Sequence, residues 1–218
     1  KTKTVFLIFF AVALGGLTTS CDSQAKRQRQ ARALYERGVQ LRAERLSEDA
    51  AECFLQALPL AENGDDMALT ANIKDNLGAM YNKHQLFEDA LAMHRSAIAD
   101  FKEINDSIGM MIAWRNCGRT TKSLELFAQT KAYYDSAFHI AALLRDTAMT
   151  NNLYLEIGRD YYMEIGNYPK AIECVHHAMD GGLDGNDLDI ANMTLGILYY
   201  YINKNDVAKG YLEKALRS

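Results

Sequence analysis

Proline, cysteine and basic charge are all scarce in this chain of 218 residues. The chain has two prolines and no β-rich blocks. Because proline interrupts helices, this composition is typical of an all-helical protein. Lysine and arginine number 24 against 28 acidic residues, for a net charge of −4, whereas nucleic-acid-binding proteins show a clustered basic excess. The sequence therefore predicts an all-α protein that does not bind nucleic acid through this segment.

Signals of an enzyme or of a metal site are also missing. The sequence has no Gly-rich phosphate loop, no HExxH and no GxSxG motif. Cys53, Cys117 and Cys174 lie at apolar positions of predicted helices, and no CxxC pair occurs, which argues against zinc and against a disulfide framework. We therefore expect three small buried side chains, no cofactor, no metal, no small-molecule substrate and no catalysis.

The N-terminal segment, residues 1–20, predicts a leader rather than part of the fold. Two lysines precede an apolar run, Val5 to Leu17, which is shorter than the about 20 residues of a membrane span. Small residues and Cys21 follow, an order that resembles the lipobox of bacterial lipoproteins, although Thr18 stands where leucine is usual. The resemblance implies a signal peptide over residues 1–20, an acylated Cys21 and a polar tether over residues 21–30. The alternative is an ordinary signal peptide followed by an incidental cysteine.

A glycine recurs at nearly constant spacing through the rest of the chain. It stands at Gly38, Gly78, Gly118, Gly158 and Gly196, so the numbering advances by 40 three times and then by 38. After each comes a small residue and then an alanine: Ala50 and Ala57, Ala90 and Ala97, Thr130 and Ala137, Ala171 and Ala178, Ala208 and Ala215. A period of this size is typical of a solenoid, whose units bury their apolar faces by stacking on one another.

Within each unit the apolar residues follow the helical spacing i, i+3, i+4 and i+7, which predicts two helices per unit. Polar turns supply the helix ends: Ser47 and Asn205 are predicted N-caps, Gly166 a helix stop and Pro169 a first-turn residue. The prediction is ten helices in five antiparallel pairs over residues 31–218. The units span about 31–65, 66–106, 107–147, 148–186 and 187–218.

The pattern resembles the tetratricopeptide repeat, whose first helix reads W-x2-L-G-x2-Y and whose second reads A-x3-F with a later alanine. Matching residues are Trp114 and Gly118, then Leu77, Gly78 and Tyr81, and finally Ala50, Phe54 and Ala57. His94 and Thr121 depart from aromatic positions, and one extra residue precedes Ala171. The long period is similar to that of kinesin light chains and bacterial regulators. The resemblance implies a right-handed superhelical solenoid of antiparallel helix pairs, with a groove lined by first helices that binds a protein or peptide.

The resemblance also indicates which side chains face that groove. In the third unit they include Arg115, Arg119 and Lys122, which share a helix face, and Arg159 is the fourth-unit equivalent of Arg119. One interpretation is a basic patch that captures an acidic peptide. The other, which we favour, is a face of structural ion pairs in which Asp75 pairs with Arg115. Further along, the groove becomes apolar and aromatic, and could bind a partner or further repeats: Tyr162, Met193, Ile197, Tyr200 and Tyr201.

Three histidines are candidate ligands, and each has a simpler interpretation. Neighbouring helical side chains point in different directions, so His176 and His177 cannot share an ion, and we expect both to face solvent. His94 takes a core position, and we expect a buried histidine whose hydrogen bonds are satisfied.

Two functions remain open. The first is a non-catalytic scaffold, lipid-anchored to a membrane of the bacterial cell envelope, that holds a protein or peptide. The second is the extracytoplasmic sensor module of a signalling protein. In such a protein the repeats would be followed by a membrane span and a helix-turn-helix regulator or histidine kinase. The chain resembles signalling proteins of this arrangement in Bacteroides-like bacteria. Both ends suggest a longer protein, because Lys1 stands where methionine is expected and core-type residues such as Leu216 have no polar capping helix after them.

Overall fold

The structure is a computed structural model that describes the backbone of residues 2–217 and the side chains of residues 23–217. Ten helices make up this part of the chain. They are α1 (Thr2–Ala43), α2 (Ser47–Glu62), α3 (Met67–Lys83), α4 (Phe87–Glu103), α5 (Ser107–Ser123), α6 (Phe127–Leu144), α7 (Thr147–Ile157, continued by a π-helical turn over Gly158–Met163), α8 (Tyr168–Asp180), α9 (Gly185–Tyr201) and α10 (Asn205–Ala215). The predicted leader and the predicted lipid site, Cys21, lie outside the described side chains.

Consecutive helices pack as antiparallel pairs, and each pair stacks on the next. The first helices of the pairs are α1, α3, α5, α7 and α9, and the second helices are α2, α4, α6, α8 and α10. First helices of neighbouring units also touch, since α5 contacts both α3 and the π-helical turn. The fold is therefore all-α, a right-handed superhelical solenoid of helix pairs, as the sequence predicts.

Residues 23–30, expected as a polar tether, belong to helix α1. Gln24 and Gln28 both donate to the carbonyl of Gly64, at 3.1 and 2.6 Å, and Arg27 donates to the carbonyl of Asn63 at 3.2 Å. These bonds satisfy carbonyl groups in the turn between α2 and α3, which have no partner within a helix. The packed structure therefore starts before residue 31.

Each turn between helices contains one residue in the left-handed conformation, and through the first six turns these residues recur at a constant interval. They are Arg45, Asp65, Gln85, Asn105, Glu125 and Arg145, with φ between 55° and 65°. In each turn the next N–H bonds back to a carbonyl five residues earlier, as Leu46 does to Leu41 at 2.9 Å. This motif satisfies free carbonyls at a helix C-terminus. Each of the first three repeats thus consists of two similar halves, and both halves end in the same kind of turn.

Side-chain caps occur at the starts of first helices, in a pattern that the sequence analysis missed. Asp66, Asp106 and Asp146 take the same position in successive units, and each accepts a hydrogen bond of 2.9–3.0 Å from the backbone N–H three residues on. Ser47 and Asn205 are instead the first helical residues of α2 and α10, so their prediction as N-caps was wrong. The N-cap positions of these two helices are taken instead by Leu46 and Lys204, which make no side-chain cap bond.

Four of the repeated glycines face a larger side chain of the paired helix, at the same offset along the chain in each unit. The facing pairs are Gly38 with Phe54, Gly78 with His94, Gly118 with Tyr134, and Gly196 with Leu212. A Cβ at any of these glycines would lie 2.6–2.8 Å from the facing side chain, closer than packed carbon atoms come. Glycine is needed there because the larger residue of the second helix lies directly against the first helix.

The extra residue of the fourth unit is absorbed in the π-helical turn Gly158–Met163, since a π-helix uses more residues per turn than an α-helix. The next left-handed residue, Gly166, consequently comes one position later than the interval of the earlier turns would place it. A Cβ at Gly158 would lie 3.2 Å from side-chain atoms of Cys174 and of Val175, and no single ring faces this glycine.

The core follows the stack as a series of buried clusters. The repeated small residues are buried in it: Ala50, Ala57, Ala90, Ala97, Thr130, Ala137, Ala171, Ala178 and Ala208. Ala215, in the last helix, is half-buried. Trp114 is also half-buried and packs against Tyr133, with ring centroids 5.4 Å apart.

Candidate functional site

The first helices α1, α3, α5, α7 and α9 form what we call the first-helix layer, and polar side chains connect its units. Arg42 of α1 donates to Asn76 of α3 at 2.5 Å, and Asn116 of α5 donates to Asp75 of α3 at 3.0–3.1 Å. The connection continues from the third unit to the fourth through Arg115. Polar side chains at the boundaries between the first four units therefore already bond to one another.

Arg115 and Arg119 share the carboxylate of Glu156, which is 4% exposed. Arg115 donates to both carboxylate oxygens, with bonds of 2.7–3.1 Å, and Arg119 donates to one of them. Burial alone would lower the pKa of Arg115, but the hydrogen bonds and charge of Glu156 outweigh it and raise that pKa. Two guanidinium groups thus surround one buried carboxylate.

The other two predicted basic residues are also paired. Arg159 donates to its neighbour Asp160 at 2.7 Å, and Asp160 accepts a second bond of 2.8 Å from the hydroxyl of Tyr134. Lys122 lies 3.4 Å from Glu164. All four predicted cations thus face carboxylates of the fourth unit. The ion-pair interpretation describes this geometry better than a free basic patch does.

The partner predicted for Arg115 was wrong. Asp75 instead lies 2.6 Å from Nδ1 of His94, a ring that is almost fully buried, and also accepts from Asn116. Asp75 belongs to the second unit and Glu156 to the fourth. The third unit therefore bonds to the second through Asn116 and to the fourth through Arg115. The position of Arg115 along its helix does not indicate which neighbouring unit it faces, so its partner Glu156 is not evident from the sequence. His94 is a core histidine with a satisfied hydrogen bond, as expected.

The remaining histidines and cysteines differ in exposure. His177 is exposed and stacks on Tyr154, with centroids 4.0 Å apart. His176 was expected to face solvent but is half-buried, with Nε2 3.2 Å from the hydroxyl of Tyr199 and its ring beside that of Tyr211. Cys53 is half-buried, whereas Cys117 and Cys174 are buried, and all three are free thiols. Burial raises the pKa of the Cys117 thiol to about 12.

Helix α9 has two apolar faces. One face is buried in the core through Ala191, Leu195 and Leu198. The other carries Met193, Tyr200 and Tyr201, which are 48%, 63% and 52% exposed, and the half-buried Ile197 lies between them. We call these four residues the α9 surface. Tyr201 is held in place by stacking on Tyr168, with centroids 5.1 Å apart.

The predicted groove residue Tyr162 has a different setting. It is half-buried and lines a cleft of about 260 Å³ between α6, α7 and α8. The other walls include Phe138, Tyr154 and His177, and paired lysine and carboxylate side chains lie at its edge. Tyr162 thus belongs to the first-helix layer and also lines a cleft together with side chains of the second helices α6 and α8.

Two further features concern membranes and metals. Within the described part of the chain, no helix combines the length and apolar character needed to cross a membrane. Over the same residues, no three histidine, cysteine or acidic side chains converge as ligands for a metal ion.

Comparison with known proteins identifies the repeat. A family model described as Tetratricopeptide repeat matches residues 70–106. BtubC (BKLC) from P. vanneervenii superimposes with a TM-score of 0.71 at 18% identity, over 92% of this chain and 90% of its own. A putative kinesin light chain of Podospora anserina gives a TM-score of 0.69 at 13% identity, over 88% of this chain and 95% of its own.

A third structure is similar over a smaller share of its length. A Rap protein complexed with Competence and Sporulation Factor gives a TM-score of 0.76 at 14% identity, over 86% of this chain and 53% of its own. No curated protein sequence matches the chain. At these identities the likeness to solved structures shows the fold alone.

Proposed function

Since this chain is a tetratricopeptide-repeat protein, a fold that is generally a non-catalytic interaction scaffold, we propose that it holds a protein or peptide partner on its first-helix layer. We further propose that it does so at the bacterial cell envelope, attached to a membrane through an acyl group on Cys21. The scaffold needs no cofactor for this role.

The α9 surface carries the proposal. Met193, Ile197, Tyr200 and Tyr201 follow the spacing i, i+4, i+7 and i+8, so they share one helix face. Contiguous exposed apolar side chains on a soluble domain mark interaction sites, and tyrosine is enriched where binding energy concentrates. Because the opposite face of α9 is already buried in the core, the α9 surface is not needed to hold α9 in the fold. We therefore place the centre of the partner site here.

The basic residues of the layer have a secondary role in this proposal. Glu156 and Asp160 hold Arg115, Arg119 and Arg159 in place. Arg119 is more exposed than Arg115 and makes a single bond to Glu156, so some of its five N–H donors remain available to a partner carbonyl or carboxylate. The arginines therefore orient a bound segment, while the α9 surface supplies most of the buried apolar area.

The proposed anchor rests on residues 1–21. A positive start, an apolar run and a cysteine after small residues form the order of a lipoprotein leader. Wild-type protein should enter the detergent phase when membranes are extracted, and Cys21→Ser should leave it soluble or with an uncleaved leader. Equal partitioning of the two forms would refute the anchor without affecting the binding surface.

The binding surface is tested by replacing its most exposed side chains. Full-length wild type and the Met193→Ser, Tyr200→Ser double variant are immobilised and incubated with detergent-solubilised envelope proteins, and captured proteins are quantified by mass spectrometry. The matched control is Leu143→Ser with Leu144→Ser, since both leucines are exposed on α6. We expect the α9 variant to lose captured proteins that wild type and control retain. The proposal fails if all three capture the same set while melting alike.

A sensor module is the second candidate, and one observation favours it. The matched repeats make up only about half of the Rap protein (53%) and half of the aspartyl phosphate phosphatase F of Bacillus subtilis (50%). Repeats of this fold therefore occur as one part of larger proteins. Reading the gene beyond Ser218 separates the two functions, because about 20 apolar residues followed by a regulator or kinase domain would identify a sensor.

A further inference from the structure

Charge is distributed unevenly along the fold. Residues 23–45 contain seven basic residues, which are Lys26, Arg27, Arg29, Arg32, Arg37, Arg42 and Arg45, against two acidic ones, Glu36 and Glu44, for a net charge of +5. Residues 46–217 contain 15 basic and 25 acidic residues, for a net charge of −10. Within residues 23–217, net positive charge is thus confined to the first helix and the turn after it, at one end of an otherwise acidic solenoid.

Part of this basic charge is used inside the fold. Arg32 pairs with Asp66 at 3.0 Å. Arg27 donates to the carbonyl of Asn63 at the end of the first unit, and Arg42 donates to the side chain of Asn76 in the second unit. These three side chains hold α1 against its neighbours.

The remaining basic side chains of α1 point away from the core. The inner face of α1 is marked by the buried residues Ala31, Gly38 and Leu41. Lys26, Arg29 and Arg37 are exposed on the back and one side of the helix relative to these residues, and we call them the basic face. Among residues 23–217, no carboxylate forms an ion pair with any of the three: Arg29 bonds to the carbonyl of Ala25 and Arg37 to the side chain of Gln40. Within the described side chains, these three charges therefore have no carboxylate partner.

We propose that the basic face binds the anionic headgroups of a phospholipid membrane. Basic clusters next to a membrane attachment point are attracted to acidic lipids, and the attraction acts within about a Debye length of 10 Å. Lys26 follows Cys21 by five positions, so even a fully extended chain keeps it within about 18 Å of the proposed acyl group. This location rests on the proposed function, whereas the charge of the face does not.

The basic face supplies a second membrane signal. A single acyl chain gives only marginal and reversible binding, and stable attachment requires a second chain or a basic cluster. The acidic remainder of the solenoid is repelled by the same lipids, so the first unit faces the membrane and the α9 surface, four units away, points away from it. The uneven charge therefore both attaches the protein and keeps its partner site accessible.

The test uses a chain that starts at Asp22 and therefore lacks the leader. Every residue of the four core clusters lies at position 31 or later, so this chain keeps the complete core. Wild type is compared with a basic-face variant, Lys26→Gln, Arg29→Gln and Arg37→Gln. The matched control removes the same charge from exposed residues at the other end: Lys204→Gln, Lys209→Gln and Arg217→Gln. Circular dichroism establishes that all three melt alike.

Binding is measured by co-sedimentation with vesicles of phosphatidylglycerol and phosphatidylethanolamine, and with vesicles of phosphatidylcholine. We expect wild type and control to bind the anionic vesicles alone, and the basic-face variant to lose affinity on the order of a hundredfold at low salt. Inorganic phosphate should compete no better than sodium chloride at equal ionic strength. Equal affinity of variant and control, binding to phosphatidylcholine, or selective displacement by phosphate would each overturn the proposal. None of these outcomes depends on the partner of the α9 surface, so failure here leaves the proposed function standing.

Discussion

The hydroxyl of Tyr134 donates a hydrogen bond of 2.8 Å to the carboxylate of Asp160, across the boundary between the third and fourth units, and both side chains are buried. Tyr134 is also the ring that lies against Gly118. Tyr134 therefore packs the two helices of the third unit together and also joins this unit to the fourth by a hydrogen bond.

Replacing Tyr134 by phenylalanine should reveal the polar part of this role. Tyr134→Phe keeps the ring but removes a donor to a buried carboxylate, so we expect a loss of about 1–3 kcal/mol in unfolding free energy. Tyr133→Phe is the matched control, because the Tyr133 hydroxyl bonds only to the exposed Arg95 at the surface. Urea denaturation should show the control within about 0.5 kcal/mol of wild type. Equal effects of the two changes would contradict the buried bond.

Two glycine-to-alanine changes should have opposite effects. Gly118→Ala brings a Cβ to 2.8 Å from the ring of Tyr134, and we expect the overpacking to cost about 1–3 kcal/mol. Gly210→Ala places its Cβ in open space on α10. Because alanine favours the helix more than glycine does, we expect the unfolding free energy to rise by about 0.5–1 kcal/mol. Thermal melting checks whether Gly118→Ala lowers the melting temperature and Gly210→Ala raises it. Stabilisation by Gly118→Ala would mean that the third unit has a different helix spacing.

A left-handed residue that is not glycine can be improved. Gln85 has a φ of 63°, a conformation that costs an ordinary residue about 1 kcal/mol, so Gln85→Gly should raise the melting temperature. Asn105→Gly, at a φ of 57°, should gain less because asparagine tolerates this conformation. Gln85→Val should be destabilising at the same site. If glycine and valine behave alike at position 85, the turn is not left-handed in solution.

Stability should fall at alkaline pH because of Cys117. Its pKa is raised by burial from 9.0 to about 12, so between these values the unfolded chain releases a proton that the folded chain keeps. The stability that the protonated Cys117 thiol contributes is fully present below pH 9 and is lost as the pH rises through 12. The steepest loss is about 1.4 kcal/mol for each unit of pH. Denaturant titrations of wild type and Cys117→Ala over this range should therefore converge, since alanine does not titrate. In the native state a thiol reagent should modify Cys53 before Cys117.

Reversing one charge of the first-helix layer should affect folding more than binding. Arg159→Glu places a second anion beside buried Asp160, and we expect a loss of about 3 kcal/mol or more. Lys131→Glu, which disrupts the exposed pair with Asp135, should cost about 0.5 kcal/mol or less. Denaturation and capture of envelope proteins are measured on both variants. Loss of capture by a fully stable Arg159→Glu protein would instead favour the free basic patch.

The repeat itself could be predicted from the sequence because it depends on residue size at fixed positions. Gly118 and Ala137 recur at the spacing of two helices, and small residues are required wherever helices come close. The extra residue before Ala171 was also visible in the sequence. Its location within a helix was not, because a longer turn and a π-helical turn produce the same shift in numbering.

The polar contacts of the candidate site were predicted less completely. Spacing along one helix placed Arg115 and Arg119 on the same face, but their partner Glu156 lies far along the chain on another unit. Choosing between Asp75 and Glu156 requires knowing which neighbouring helix each side chain faces. A carboxylate two residues before a repeat glycine, among apolar residues, was the available signal for Glu156.

The π-helical turn also bears on how such a chain tolerates changes in length. One additional residue between two turns would ordinarily rotate everything after it by about 100° around the helix axis. Widening a single turn of α7 removes that rotation, so α8 still presents Ala171, Ala178 and Val175 to the core. An insertion of one residue in a first helix can thus be neutral for the stack that follows, and units of unequal length can share one continuous core.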